Sequence, residues 1–397
     1  MTEALLVDVI RTPSGRGRPG GQLSGLHPAD LLAQVLRALV ERTGIDPGGV
    51  DDVVGACVAQ AGQQALNITR SALLGAGFPE SVPGTTVDRQ CGSSQQAVHF
   101  AAQGVIAGAY DVVIACGVES MSRVPMGYAP RGEDTWGTAV AARYPEGLIH
   151  QGISAELLAA RWDLDRDTLD EYAARSHRLA GECAAAGAFG NEIVPVTVRD
   201  ASGAERSVSV DETVRPATTV DGLAALQPSF RNEAMERRFP EIGWRITAGN
   251  SSPITDGASA ALIVSERMAA RLDLRPRARL AGFAVTGSDP LLMLTGVVPA
   301  SRRLLERTGL HIGDVHAYEV NEAFAPVPLV WQHELDADPD RLNPRGGAIA
   351  LGHPLGASGI RLLATLVNHL EAGGGRYGLQ TMCERGGMAN ATLVERL

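Results

Sequence analysis

Lysine is missing from this chain: all 35 of its basic residues are arginine. Without lysine there is no Schiff base to pyridoxal phosphate or to a substrate, no biotinyl-lysine and no GK[ST] phosphate loop. Aromatic residues are few, with 4 Trp, 6 Tyr and 7 Phe in 397 positions, whereas glycine is abundant at 46. No apolar run approaches the 18 residues of a membrane span. Acidic residues outnumber basic ones by 45 to 35, a net charge of −10 that excludes a broad basic face for nucleic acid or anionic lipid. The five cysteines (Cys57, Cys91, Cys116, Cys183 and Cys383) are odd in number, far apart and free of any C-x-x-C pair. Neither a disulfide framework nor a metal site is therefore expected. The apolar stretch Ala4–Ile10 follows Glu3, is broken by Asp8 and lacks a basic leader. These features together predict a cytoplasmic protein with reduced thiols.

The length predicts two or three domains. Glu41–Val50 (ERTGIDPGGV) matches Glu306–Val315 (ERTGLHIGDV) without a gap at an offset of 265. Helical apolar spacing precedes each copy and a strand-like run follows it, Asp52–Cys57 in one and Ala317–Asn321 in the other. A second match, Asp111–Cys116 with Gly378–Cys383, lies at an offset of 267. Two matches in the same order indicate an internal duplication of α/β units with buried sheets. Between the copies the texture changes, with helical patterns at Ser154–Arg161 and Leu169–Ala186 and a strand-like run at Glu192–Val198. This stretch is read as an insertion on the first half.

Folding two related halves about a pseudo-dyad sets the loop before Cys91 beside the loops carrying His353 and Cys383. Cys91, in DRQCGSSQQA, precedes a helical pattern, where the dipole and free N–H groups favour thiolate and Gly92 clears space for a close approach. Cys57, Cys116 and Cys183 read as small buried hydrophobes. His353, held by Pro354 and flanked by glycines in GGAIALGHPLGASG, suits a general base or a hydrogen-bond donor. Cys383 ends an apolar strand before Glu384-Arg385-Gly386-Gly387, the kind of strand end at which α/β sites form. Asn321, in NEAFA, follows a strand and equally suits a helix cap. Arg231, Arg237, Arg238 and Arg245 read as a solvated helix face rather than a grip on phosphate.

At these residues the chain resembles the thiolase family over essentially its whole length. The matching segments are DRQCGSS around Cys91, TAGNSSPITDGA from Thr247, NEAFA from Asn321, Gly346–Gly359, and Cys383 with its glycines. The resemblance implies two duplicated halves stacked as five layers, α/β/α/β/α, with an inserted loop domain covering coenzyme A. It divides the chain into residues 1–120 plus 251–271, a loop domain 121–250, and residues 272–397. It implies Cys91 as nucleophile, His353 as its activator and Cys383 as the residue moving the α-carbon proton. Asn321 would hold a water in one oxyanion hole beside His353, and the backbone N–H groups of Cys91 and Arg385 would form the other. His150, Arg215 and Ser252 fall where the family contacts CoA, and Phe324 where it lines the pantetheine tunnel. CoA is implied as co-substrate with no bound cofactor or metal, and a homodimer or homotetramer as the assembly.

The expected reaction is ping-pong cleavage of 3-ketoacyl-CoA by CoA to acetyl-CoA or propionyl-CoA and a shortened acyl-CoA. Alternatives are the reverse condensation, and a CoA-binding partner subunit with impaired chemistry. The last rests on Arg385 standing where the family's Cys-x-Gly-Gly-Gly has glycine, the residue that supplies positive φ or space. Gln151, where short-chain biosynthetic members carry Met, points toward degradative members acting on steroid or other bulky acyl-CoAs. Asn321 stands where a decarboxylating ketosynthase needs a second histidine. Duplicated halves with CoA-type loops argue against a Cys-His-Asn protease.

Overall fold

The computed structural model describes residues 2–199 and 203–397. Its strands are β1 (Ala4–Arg11), β2 (Gly15–Arg16), β3 (Asp52–Ala56), β4 (Gly84–Val87), β5 (Val112–Ser120), β6 (Val196–Arg199), β7 (Glu205–Val208), β8 (Thr255–Ser265), β9 (Ala278–Gly287), β10 (Ala317–Val320), β11 (Tyr377–Glu384) and β12 (Met388–Arg396). Ten of them pair in the order β4-β3-β5-β8-β1-β9-β12-β11-β10, with β2 on β8, while β6 and β7 form a separate hairpin. The series β1-β8-β5-β3 and β9-β12-β11-β10 repeat each other, and both begin from the β1–β9 junction where the halves meet.

Registers fix the internal symmetry. Asp52 pairs with Val113 in the first half, and Ala317 with Gly378 in the second. The offset is therefore 265 throughout, and the second sequence match, drawn at 267, is two residues out. Cys383 is the equivalent of Val118, not of Cys116. A two-residue slip keeps each side chain on its own face, so alternation of polarity cannot reveal it.

β5 and β8 are buried along their entire lengths because helices cover both faces. Pro28–Thr43 and Ile68–Ala76 pack outside the first half, with Leu32, Leu36 and Leu39 in that core. Val297–Thr308 and Pro326–Leu335 pack outside the second. The repeated helices stop alike, at Gly44 with φ 69° and Gly309 with φ 68°. Ser93–Ile106 and Ser358–Gly373 lie together between the two halves of the ten-stranded sheet, in a core to which both halves contribute. These are the five layers. Asp8, the break in the first apolar run, is buried at the junction and accepts from Arg42 at 2.8 Å and Arg277 at 2.9 Å.

Between β5 and β8 the chain leaves the sheet. Helices Gln151–Arg161 and Arg166–Ala185 bury Ile153, Leu158, Leu169 and Tyr172 in the core of the second half. Val196, Val198 and Val208 of the β6–β7 hairpin pack into the first. The insertion is threaded through one half and bridges both. No helix of the described residues is long and apolar enough to cross a membrane.

Candidate active site

The helix Ser93–Ile106 starts two residues after Cys91, behind a backbone turn in which Gln90 adopts φ 49°. Cys91 is buried, packs with Leu362 and Met382, and lies on the wall of a cavity of about 270 Å³. His353 reaches the same wall from the loop before Ser358–Gly373, its N–H bonded to Thr255 Oγ1 at 3.1 Å.

The imidazole tautomer follows from its neighbours. Ser358 Oγ donates to the Pro354 carbonyl at 2.8 Å, so its single hydrogen is committed. The 2.6 Å contact with His353 Nδ1 is then an N–H donation from the ring, which leaves Nε2 as a bare acceptor. Asn321 Nδ2 lies 3.4 Å from Nε2, while Asn321 Oδ1 is buried without a protein partner. That oxygen is placed to accept from a water, whose second hydrogen is then available to an oxyanion.

Burial pushes the Cys91 thiol up to about 12, with Glu384 adding to the effect, and it pushes His353 down to about 3, with Arg361 adding to that. This corrects the expectation of a resting thiolate at a helix N-terminus: removal from water outweighs the dipole. The resting pair is a neutral thiol beside a neutral base. Cys383 is buried at the end of β11, and its thiol is pushed well up by burial, by Cys91 and by Glu384.

Gly92 does clear space, but not for a ligand. A Cβ there would lie 2.0 Å from Glu384 Oε1 and 2.7 Å from Asn390 Nδ2, so the vacated volume is filled by the Glu384 carboxyl. Arg385 is absent from the residues of positive φ, whereas Gly386 and Gly387 adopt φ 85° and 82°. The backbone geometry therefore does not demand glycine at 385, which removes the argument that Arg385 distorts this turn.

Of the expected CoA contacts, His150, Ser252 and Phe324 line the cavity with Cys91 and His353. His150 Nδ1 accepts from Gly152 N at 3.0 Å and so caps its helix as well. The rings of His150, Phe230 and Phe324 form a file with centroids 5.2 and 5.9 Å apart. Arg215 is not on this wall: it lines a neighbouring cleft with His177 and Thr218, which shares Ser251 and Pro253 with the first. Arg231 and Arg237 are exposed and pair with Glu236 and Glu233, as the solvated-face reading anticipates. Arg238 and Arg245 instead are partly buried and bond to backbone carbonyls, Arg245 beyond the end of the helix, because their charge is satisfied inside the fold. A larger open groove of about 620 Å³ near His27 and Arg37 contains none of the candidate catalytic side chains.

Two further residues shape the site. Ser358, five positions after His353, carries no signal in the sequence because its role depends on a turn of the chain. Glu322, directly after Asn321, accepts from Tyr172 Oη (2.9 Å), Asn343 Nδ2 (2.9 Å), Ser176 Oγ (2.7 Å) and Ile349 N (3.0 Å). It thereby ties the Asn321 loop to helix Arg166–Ala185 and to the segment leading to His353. No group of His, Cys, Asp or Glu suited to a metal ion occurs among the described residues.

A duplicated five-layer α/β fold with two buried cysteines and a histidine where its halves meet is the architecture of an acyl-transferring thiol enzyme. Residues 4–267 match the thiolase N-terminal domain and residues 274–396 the thiolase C-terminal domain, and the chain belongs to the thiolase family. It is similar to the steroid 3-ketoacyl-CoA thiolase FadA6 of Mycobacterium tuberculosis, at 47% identity over all of this chain and 95% of that one. The 3-ketoacyl-CoA thiolase of Serratia proteamaculans is 42% identical with both chains fully covered. The crystal structure of the Bacillus anthracis acetyl-CoA acetyltransferase superposes with a TM-score of 0.89 at 34% identity, covering 100% of this chain and 99% of that one.

Proposed function

We propose that the protein cleaves 3-ketoacyl-CoA with CoA, giving acetyl-CoA or propionyl-CoA and a shortened acyl-CoA. The observation that carries this reading is the placing of Cys91 and His353 on one cavity wall, with the ring's Nδ1–H committed to Ser358 so that Nε2 is the nitrogen left to accept a proton. Cys91 Sγ attacks the 3-keto carbon as its proton passes to His353 Nε2. The oxyanion collapses, the Cα–Cβ bond breaks, and its electron pair goes to the acetyl-CoA enolate. Cys383 protonates the enolate carbon. As acetyl-CoA leaves, the proton held on His353 passes to the Cys383 thiolate. CoA then attacks the acyl-Cys91 thioester and gives its thiol proton to His353. Collapse releases the shortened acyl-CoA, and Cys91 recovers that proton.

Two oxyanions at different positions need two donor sets. The water held by Asn321 with the protonated His353 serves one, and the N–H groups of Cys91 and Arg385 serve the other. A single such donor typically contributes about 2.7–4 kcal/mol. His150, Ser252 and Phe324 hold the pantetheine, with Arg215 beyond them toward the nucleotide end. A homodimer or homotetramer in the cytoplasm is the assembly and compartment that the family likeness favours. The names of the similar enzymes from Mycobacterium and Serratia favour degradation over condensation.

The test is consumption of acetoacetyl-CoA and of a longer 3-ketoacyl-CoA on addition of CoA, with mass spectrometry of Cys91. Turnover with an acyl adduct on Cys91, both abolished in Cys91→Ala, is expected. CoA binding without turnover or adduct overturns the reading in favour of a non-catalytic partner subunit.

A further inference from the structure

Asn321 carries the water of the proposed oxyanion site, yet little grips its side chain. Its Nδ2 lies 3.4 Å from His353 Nε2, its Oδ1 has no protein partner, and no other side chain among the described residues bonds to it. The place of that amide is therefore inherited from the backbone that bears it. On one side the Asn321 N–H donates to the Thr381 carbonyl of β11 at 3.0 Å. On the other side stands the next residue, Glu322, whose side chain is fully buried.

Both oxygens of the Glu322 carboxyl are filled. Oε1 accepts from Tyr172 Oη and Asn343 Nδ2 at 2.9 Å each, and Oε2 from Ser176 Oγ at 2.7 Å and Ile349 N at 3.0 Å. These donors are held in turn. Asn343 Nδ2 also donates to Tyr172 Oη at 3.0 Å, and Gly347 N donates to Ser176 Oγ at 3.1 Å. Two glycines let the elements close on the carboxyl. A Cβ on Gly347 would lie 2.2 Å from Glu322 Cδ, and one on Gly346 would lie 2.5 Å from the Ser176 carbonyl oxygen. Ile349 belongs to the short helix Ala348–Leu351, which delivers the chain through Gly352 to His353. One carboxyl thus grips both the loop that bears Asn321 and the turn that leads to His353.

We propose that Glu322 is a positioning residue for this oxyanion site, and that Tyr172 and Ser176 enlist the inserted helix Arg166–Ala185 in the same task. This rests on the thiolysis reading above. Glu322, Tyr172 and Ser176 are absent from the wall of the Cys91 cavity, so they act through the separation of Asn321 from His353. Misplacing a group at a reacting centre by 1 Å can cost about a hundredfold in rate. The inserted helix therefore serves turnover as well as covering CoA.

The experiment is a double-mutant cycle on thiolysis of acetoacetyl-CoA, with wild type, Glu322→Gln, Asn321→Ala and the double variant. Glu322→Gln turns an NH2 toward donors that now meet an oxygen. We expect kcat to fall about tenfold or more, with KM for either substrate changed by less than about twofold. In the Asn321→Ala background the same substitution should cost less than about twofold, because the amide it positions is gone. Equal losses in both backgrounds overturn the proposal, since a general structural effect does not act through Asn321. A loss carried by KM overturns it, as does an unchanged kcat in Glu322→Gln or in Asn321→Ala. Should Glu322→Gln fail to fold, Tyr172→Phe and Ser176→Ala each remove one donor and repeat the cycle. Each should then lower kcat about threefold or more, and by less than half as much without Asn321. A wild type that leaves acetoacetyl-CoA and longer 3-ketoacyl-CoA unconsumed overturns the thiolysis reading itself, which is a separate result.

Discussion

Glu119 and Glu384 stand at equivalent positions of the two half-sheets, 265 residues apart, each with its side chain at the start of a middle-layer helix from the other half. Glu119 accepts from Val58 N, Ala59 N, Gln64 Nε2 and Gly356 N at 2.9–3.1 Å. Glu384 lies against Gly92, and neither of its oxygens has a partner. The duplication has kept the residue and changed its environment. Glu119 is a clamp on the loop that carries His353, so Glu119→Gln, which sets an NH2 among N–H donors, should destabilise by roughly 2–4 kcal/mol in urea unfolding.

For Glu384 the expectation is reversed and depends on pH. Burial raises its carboxyl to about 9, so the folded chain holds a proton that the unfolded chain releases above the ordinary carboxylate range. Its contribution to stability is full below that range and is lost as pH climbs to about 9. Glu384→Gln should match the wild type near pH 4.5 and overtake it with rising pH, by at most about 1.4 kcal/mol per pH unit. Thermal unfolding of both proteins from pH 5 to pH 9 checks this; parallel Tm profiles would show that Glu384 is ionised in the fold.

The neutral Cys91–His353 pair predicts the reactivity of the free enzyme. With the thiol near 12, iodoacetamide alkylation of Cys91 should keep rising through pH 9 without a plateau. A plateau with an apparent pKa near 7 would reveal a thiolate–imidazolium pair instead.

Ser358→Ala removes the partner that fixes the His353 tautomer. One hydrogen bond of about 1–1.5 kcal/mol corresponds to a fall of roughly tenfold in kcat/KM, with folding retained. Thiolysis rates at constant CoA measure it, and an unchanged rate would show that the ring is held by other means.

Cys383→Ala should stop exchange of the acetyl-CoA α-proton with solvent while Cys91 still reacts with iodoacetamide. Deuterium incorporation followed by mass spectrometry separates the two functions. Exchange at the wild-type rate would assign the α-proton to another residue.

Much of this was legible in local patterns. The apolar runs, the Gly44 and Gly309 helix stops and the ERTG repeat follow from short-range chemistry, and they carry the duplication and its α/β character. The register of the second match was not legible, since pairing Cys116 with Cys383 respects strand alternation as well as the true pairing with Val118. The ionisation of Cys91 was not legible for a related reason. A helix N-terminus is visible in sequence, but the depth at which the thiol is buried is not.

The sequence alone determined which side chains are candidates for the chemistry and, through its internal repeat, that the chain is built of two similar units. Tertiary structure decided what those side chains are when they meet. Burial leaves Cys91 and His353 neutral, Ser358 selects the ring tautomer, and Arg385 is set on Trp136. These outcomes depend on solvent exclusion and on contacts between residues hundreds of positions apart, and local spacing encodes neither.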